Sequence, residues 1–145
     1  MLSKLGITVK HRKGYTFGSG AYVTERFSLD FLINGESLLN KLAGDSDLMG
    51  CFVKGYNNLN IYNELLLLQL PKSPSGRFLL YICPECGDIG CGAYTCKITF
   101  DGSIYIWSDF AYEDCDEEPE LMANIDSIFF DKAEYEKIMQ EALNF

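Results

Sequence analysis

The stretch Ala93-Tyr-Thr-Cys-Lys-Ile-Thr-Phe-Asp-Gly-Ser-Ile-Tyr-Ile-Trp-Ser108 decides the fold class. Two runs rich in β-branched and aromatic residues, 93–100 and 103–108, flank Asp101-Gly102, and this arrangement is typical of a β-hairpin. Successive side chains of a strand point to opposite faces. One face of the first strand therefore carries Tyr94, Cys96, Ile98 and Phe100. In the second strand, Ile104 and Ile106 share one face and Tyr105 and Trp107 share the other.

Segments on both sides of this hairpin add further strands and helices. Strands are predicted within residues 7–13, 21–33, 51–53, 78–83 and 125–130. Ser37 caps a short helix, Leu38–Ala43, and Asp131 caps a longer helix, Lys132–Leu143, with Glu134 at the capping-box position. Residues 60–70 fit either the apolar face of a helix or a buried strand, and we favour the helix.

Strands that mostly follow one another, with helices at intervals, predict an α+β fold. We expect a single domain over residues 1–145, with an antiparallel or mixed sheet covered by helices on one face. The chain is long enough to bury a substantial core. Its composition, 48% hydrophobic and 23% charged residues, is ordinary for a globular domain.

The charge balance narrows the choice of partner. The formal net charge is −9, and excess negative charge repels a phosphate backbone, so nucleic acid is not expected as a partner. A basic protein partner suits this charge. Residues 1–10 lack the apolar core of a signal peptide, and the longest apolar run, 65–68, is far too short to span a membrane. We therefore expect a cytoplasmic protein with reduced or metal-bound cysteines.

The segment Cys83-Pro-Glu-Cys86-Gly-Asp-Ile-Gly-Cys91-Gly-Ala-Tyr-Thr-Cys96 is the most chemically suggestive part of the chain. Zinc takes four soft ligands at tetrahedral corners, so Cys83, Cys86, Cys91 and Cys96 form a candidate zinc site. Cys96 lies in the predicted hairpin, where a thiol is usually a small buried hydrophobe. Without it, Cys51, Asp88 or Cys115 would have to complete the site. The alternatives are structural cysteines in a glycine-rich turn, with no cofactor, and a redox Cys-x-x-Cys pair.

The second suggestive stretch is acidic. Residues 103–131 contain no Lys or Arg and nine acidic side chains. Seven of the nine fall within 109–120, which we predict to be a loop, beside aromatic residues. Charges steer the encounter of two proteins and aromatic side chains anchor the complex. The candidate partner-binding residues are Trp107, Asp109, Tyr112, Glu113, Asp114, Asp116, Glu117 and Glu118. The alternatives are a solvated acidic loop and a divalent-ion site at Asp114-Cys-Asp116.

The motifs Cys83-Pro-Glu-Cys86-Gly-Asp-Ile-Gly-Cys91-Gly and Trp107-Ser108-Asp109-Phe110, followed by Phe130-Asp131-Lys-Ala-Glu-Tyr135, resemble a family of small uncharacterised bacterial proteins. Some members carry the label "oxidoreductase". The N-terminal half, with its strand over 27–33 and the turn Asn34-Gly-Glu-Ser-Leu38, is similar in style to small immunity proteins. That resemblance implies a protein that neutralises the toxin domain of a contact-dependent growth inhibition system.

These observations predict a binding protein and not an enzyme. The chain lacks a phosphate-binding glycine loop, a nucleophile elbow and a His-containing triad. The main hypothesis is an immunity-type inhibitor that binds a basic toxin domain, such as a nuclease, through its acidic surface. The alternatives are a small cysteine-containing redox or zinc-bearing protein and a regulatory module with an unrelated partner.

Overall fold

The computed structural model describes residues 1–87, 91–114 and 118–145, and it confirms the α+β fold class. All ladders between strands of the described residues are antiparallel, and an isolated parallel bridge joins Leu2 to Phe129. The strands are β1 (Leu5–Arg12), β2 (Tyr15–Thr16), β3 (Tyr22–Val23), β4 (Arg26–Ile33), β5 (Glu36–Ser37), β6 (Met49–Gly50), β7 (Phe78–Ile82), β8 (Ala93–Phe100), β9 (Ile104–Glu113), β10 (Glu120–Leu121) and β11 (Ile128–Asp131). The helices are α1 (Leu38–Ala43), α2 (Asn58–Leu65) and α3 (Lys132–Leu143).

The larger sheet has the strand order β10-β9-β8-β7-β6, and β11 also pairs with β9. The first part of β9 pairs with β11, where Trp107 is opposite Ile128. The second part pairs with β10, where Tyr112 is opposite Glu120. Because β8 occupies the other side of β9, both short strands lie along the same edge. After the acidic segment, the chain therefore returns to pair with β9, the strand that precedes this segment.

The predicted hairpin is present, and its second strand is longer than expected. The turn is held by the Asp101 side chain, whose Oδ1 accepts hydrogen bonds from the backbone N–H groups of Ser103 and Ile104 at 2.9 and 2.8 Å. The predicted loop at 109–120 is wrong in its first part, because β9 continues to Glu113. The last residues of β9 pair with the start of β8, where Ala93 is opposite Glu113.

A β-bulge in β9 decides which side chains face the core. Thr95 pairs with Ala111 and Lys97 pairs with Ser108, so two residues, Asp109 and Phe110, stand opposite Cys96. Asp109 adopts the left-handed conformation, with φ 50°. One extra residue resets the alternation of a strand. The bulge therefore sends Phe110 into the core, where it is fully buried, and leaves the Asp109 carboxylate at the surface.

The smaller sheet has the strand order β1-β4-β5. Its strand β4 forms backbone hydrogen bonds with the segment that follows β6. The backbone N–H of Leu29 donates to the Phe52 carbonyl at 3.0 Å, and that of Lys54 donates to the Phe27 carbonyl at 2.9 Å. Gly50 is required at this contact, since a Cβ there would overlap the Leu29 carbonyl oxygen. The strand predicted at 51–53 instead occupies Met49–Gly50, and Val53 forms only a single bridge to Ser28.

The helices follow the sequence prediction closely. The Ser37 side chain accepts from the N–H of Asn40 at the start of α1, and the Asp131 side chain accepts from the N–H of Glu134 at the start of α3. The ambiguous segment 60–70 contains a helix, as favoured, and this helix ends at Leu65. No helix in the described parts of the chain is both long and apolar enough to cross a membrane.

Trp107 and Tyr135 join the helices to the larger sheet. The Trp107 Nε1–H donates to the Tyr135 hydroxyl at 3.1 Å, and that hydroxyl donates to the Leu65 carbonyl at 2.7 Å. Both side chains are fully buried, and the Trp107 ring meets Phe31 and Phe130 edge-on at centroid distances of 5.2 and 5.1 Å. These contacts connect β9 with β4, β11, α2 and α3.

We expect the backbone conformation of Asp109 to control the stability of this hairpin. Asp109→Gly should unfold within about 1 kcal/mol of the wild type, because glycine adopts positive φ without steric cost. Asp109→Val should lose about 1–3 kcal/mol, because a β-branched side chain is strained there. Urea denaturation measures both, with Lys97→Ala as the control that removes only the ion pair of Asp109. Equal stability of the glycine and valine variants would contradict this account of the bulge.

Candidate functional site

Two features carry the residues singled out in the sequence. The first is the acidic segment at the end of β9 and around β10. The second is the cysteine-containing turn that follows β7. The side-chain environment of each residue decides whether it can meet a partner, a metal ion or neither.

Trp107 was predicted to contact a partner, and the structure corrects this. Its side chain is fully buried. It lies two residues before the bulge on the inward face of β9, and its only polar atom already donates to Tyr135. The single tryptophan of the chain therefore stabilises the core and offers no surface to a partner.

Glu113 is corrected in the same way. It is 3% exposed, and its Oε1 accepts hydrogen bonds from the hydroxyls of Ser73 and Ser75 at 3.1 and 2.8 Å. Its Oε2 lies 3.9 Å from Nε of Arg77, which is also buried and donates to Thr95 Oγ1 at 2.9 Å. A buried charge needs nearby opposite charge and hydrogen bonds. Arg77 and the two serine hydroxyls supply these in part, while Glu113 Oε2 and Arg77 Nη2 form no hydrogen bond with the described residues. Glu113 thus attaches the 73–77 loop to the sheet and does not face solvent.

Asp109 and Tyr112 do reach the surface. The Asp109 carboxylate lies 3.6 Å from Nζ of Lys97 and is half exposed. Tyr112 is 38% exposed and meets the Tyr94 ring edge-on, with the ring centroids 5.1 Å apart. The Tyr112 hydroxyl lies where a Cβ of residue 92 would be, so Gly92 provides the space for it. The two rings form a fixed, partly exposed aromatic pair.

The remaining predicted contact residues lie where the acidic segment leaves β9. Asp114 is half-buried and Glu118 is exposed. Asp116 and Glu117 lie outside the described residues. The divalent-ion hypothesis at Asp114-Cys-Asp116 depends on those residues, so it stays a hypothesis.

Strand β10 brings additional residues to this surface. Glu120 and Leu121 are exposed, and Leu121 retains 64% of its accessible surface. A depression of about 380 Å³ on one side is lined by Tyr94, Tyr112, Glu120, Leu121 and Met122. A second, of about 390 Å³, is lined by residues that include Asp109, Leu121, Met122 and Asp126. A two-residue strand has too little alternation to be detected in the sequence, although Leu121-Met122 after an acidic run was a usable signal.

We define the acidic surface as Asp109, Tyr112, Asp114, Glu118, Glu120, Leu121 and Asp126. It combines exposed carboxylates with an exposed tyrosine and an exposed leucine. Each of the two depressions has an apolar side formed by Leu121 and Met122 and at least one carboxylate. A long basic side chain has the matching chemistry, since it carries an apolar stem and a charged end.

The cysteine turn brings together three of the four proposed metal ligands. The sulfur atoms of Cys83, Cys86 and Cys91 all lie within 4.8 Å of one another, so this group could hold a metal ion. The backbone N–H of Cys86 donates to Cys83 Sγ at 3.5 Å, and that of Gly87 donates to the Cys83 carbonyl at 2.8 Å. These bonds form a tight turn in which the sulfur atoms point to one side.

Cys96 does not belong to this group, which corrects the predicted four-cysteine site. Its side chain is fully buried in the core, and burial raises the pKa of its thiol well above the ordinary value. Cys51 is buried as well, and its pKa is raised to about 12, mainly by desolvation. Both thiols therefore stay protonated at neutral pH. Asp88 and Cys115, the other residues considered as ligands, lie outside the described residues.

The pairing of Cys86 with Cys91 also differs from the expectation of reduced or metal-bound cysteines. The structure joins them in a disulfide, with a Cα–Cα distance of 6.6 Å, and leaves Cys83 as a free thiol. Disulfide formation and metal binding by Cys86 and Cys91 exclude each other, because metals are bound by thiolates. The turn is therefore either oxidised or available to a metal.

Glu85 attaches this turn to the smaller sheet. Its Oε1 accepts from Arg12 Nη1 at 2.5 Å and from the Thr24 N–H at 2.8 Å, and its Oε2 accepts from the Thr24 hydroxyl at 2.9 Å. These bonds, above all the one from Arg12, lower the pKa of Glu85 to about 2. Arg26 adds a bond to the Pro84 carbonyl at 2.9 Å. The cysteine turn is thus held in place by residues far away in the sequence.

We expect Glu85 to make stability depend on acid pH. Its pKa falls from 4.5 to about 2 on folding, so its contribution is present above pH 4.5 and is lost as the pH falls towards 2. Glu85→Gln should be less stable than the wild type at pH 7, and the difference should shrink over that range. Urea denaturation at several pH values measures it.

Thr24→Val serves as the matched variant for this prediction. It removes one hydrogen bond to Glu85 and keeps Arg12, so part of the acid dependence should remain. A difference between wild type and Glu85→Gln that stays constant from pH 7 to pH 2 would show that the carboxylate does not hold the turn.

The chain was compared with known proteins at three levels. No protein-family model, no curated protein and no solved structure matches it. The acidic surface and the cysteine turn are therefore interpreted from their own geometry.

Proposed function

We propose that this protein is an immunity-type inhibitor that binds a basic toxin domain, such as a nuclease, through its acidic surface. The observation that carries the proposal is the pair of carboxylate-containing depressions on either side of Leu121. An exposed leucine and an exposed tyrosine among carboxylates suit a protein interface, where apolar contacts supply affinity and charges supply orientation.

The proposed mode of binding follows from the shape of this surface. Lysine or arginine side chains of the partner lie in the two depressions, with their stems against Leu121 and Met122. Their charged ends meet Glu120 on one side and Asp109 or Asp126 on the other. A nuclease presents such basic groups to the phosphates of its substrate, so the inhibitor occupies the path of the nucleic acid.

The distribution of ion pairs supports partner binding by the acidic surface over a purely structural role. Asp109 and Glu113 have cationic neighbours, Lys97 and Arg77, within the same domain. Glu118, Glu120 and Asp126 take part in no ion pair between described residues. Exposed carboxylates outside ion pairs raise the local negative potential, which accelerates the approach of a basic protein.

Charge reversal at Glu118, Glu120 and Asp126 tests the proposal. The partner to be tested is the C-terminal domain of any large secreted protein found to be encoded beside this chain. Its affinity is measured by calorimetry at low and moderate salt. The triple lysine variant should bind about 100-fold more weakly or worse, because three favourable contacts become repulsive. Wild-type affinity should fall as salt increases.

A second triple variant controls for net charge. Asp45, Glu134 and Glu141 are exposed acids away from the acidic surface, and their replacement by lysine changes the total charge equally. This control should retain most of the affinity. Equal losses in the two variants would leave only a general charge effect, and unchanged binding in the first would refute the proposed interface.

A redox or zinc-binding role for the cysteine turn is the second candidate, favoured by the three converging sulfur atoms. After reduction, the protein should bind one zinc ion through Cys83, Cys86 and Cys91, with a fourth position open to water or a partner. Cys83→Ser and Cys86→Ser should abolish binding, as measured by metal content after gel filtration. The control Cys96→Ala should retain it, and a reduced protein without metal affinity would eliminate the zinc role.

A further inference from the structure

A pocket between α2 and β7 borders the cysteine turn and shares no described lining residue with the acidic surface. It has a volume of about 430 Å³. Its walls come from α2, from β7, and from the loop at 72–74, and Gly87 of the cysteine turn contributes to the rim. Its lining includes Ile61, Glu64, Lys72, Leu79 and Ile82. A space of this size holds a small organic molecule or one long side chain.

The described lining of the pocket includes a buried carboxylate, that of Glu64. Glu64 is 6% exposed and takes part in no ion pair within 4.0 Å between described residues. Desolvation raises the pKa of this group, while the charge and the backbone N–H of Lys72 act in the opposite direction. Because desolvation outweighs the two contributions of Lys72, the charged form of Glu64 is only partly compensated. A cation brought next to the carboxylate would stabilise that charged form further.

The other walls are mainly apolar. Ile61 of α2 and Leu79 and Ile82 of β7 face the cavity, and Ile82 is buried while the other two are partly exposed. An apolar cavity with a few polar groups that fix orientation is the usual form of a small-ligand site. The ligand that fits therefore has an apolar body and one cationic end.

We propose that the pocket between α2 and β7 binds a small organic cation, an alkylammonium or alkylguanidinium group, whose charged end pairs with Glu64. The apolar body lies against Ile61, Leu79 and Ile82. Anions are excluded because they would meet the Glu64 carboxylate in a poorly solvated space. The exposed Lys72 at the rim weakens cation binding by like-charge repulsion, so its removal strengthens binding.

The same chemistry has two sources, a free small molecule and an arginine or lysine side chain of another protein. A blocked peptide, acetyl-Gly-Arg-Gly-amide, represents the second source, and n-propylguanidinium represents the first. If only the small cation binds, the site serves a free ligand. If both bind with similar affinity, the pocket accepts a side chain from a partner.

The test uses ¹⁵N-labelled full-length protein titrated with n-propylguanidinium, n-butylammonium and the neutral control n-butanol. Both cations should shift the amide signals of Ile61, Glu64 and Leu79. Glu64→Gln keeps the shape and the hydrogen-bond acceptor of the side chain and should weaken cation binding about tenfold, since a charge-assisted pair becomes a neutral one. Butanol binding should not change.

Two further variants complete the design. Lys72→Ala should bind the cations more tightly than the wild type, and this result does not depend on the folding of the Glu64 variant. Glu141→Gln, an exposed glutamate on α3, is the matched control and should behave as the wild type. Cations that shift no signal at the pocket, or that bind Glu64→Gln as tightly as the wild type, would overturn the proposal. Neither result depends on the acidic surface.

Discussion

The hydrogen-bonded chain Trp107–Tyr135–Leu65 is the interaction on which the arrangement of this protein depends. It lies inside an aromatic cluster and connects the central strand β9 with α3 and α2. A buried indole N–H and a buried hydroxyl would each be costly without partners. Here the indole N–H donates to the hydroxyl, and the hydroxyl donates to the Leu65 carbonyl. Because these bonds join residues far apart in sequence, they fix the helices against the sheet as well as stabilising the core.

The inward position of Trp107 is the starting point for which later side chains of β9 lie in the core and which lie at the surface. The bulge at Asp109 keeps Phe110 on the core side, and the strand then continues far enough for Glu113 to reach Arg77. The aromatic and acidic residues of this segment are therefore divided between core and surface. The part left at the surface gains its apolar component from Leu121 of β10, which packs beside the same strand.

The cysteine turn shows how distant residues shape local chemistry. Its backbone bonds form the turn, but Arg12, Thr24 and Arg26 of the smaller sheet hold it in place through Glu85 and Pro84. With Cys96 committed to the core, the turn offers three sulfur atoms and not four. A closed tetrahedral zinc site thus needs a ligand from beyond these cysteines, whereas the Cys86–Cys91 disulfide needs no further residue.

The sequence by itself determined the elements that depend on local chemistry. The hairpin around Asp101, the α1 cap at Ser37 and the α3 cap at Asp131 were predictable, because turn and capping preferences act over a few residues. Tertiary structure decided which face of each strand became core. The bulge at Asp109 and the burial of Trp107, Glu113 and Cys96 depend on partners distant in sequence, as do the pairing of β10 and the pocket beside Glu64. Such contacts leave no periodic signal, so only the folded chain could separate the interface residues from those that build the core.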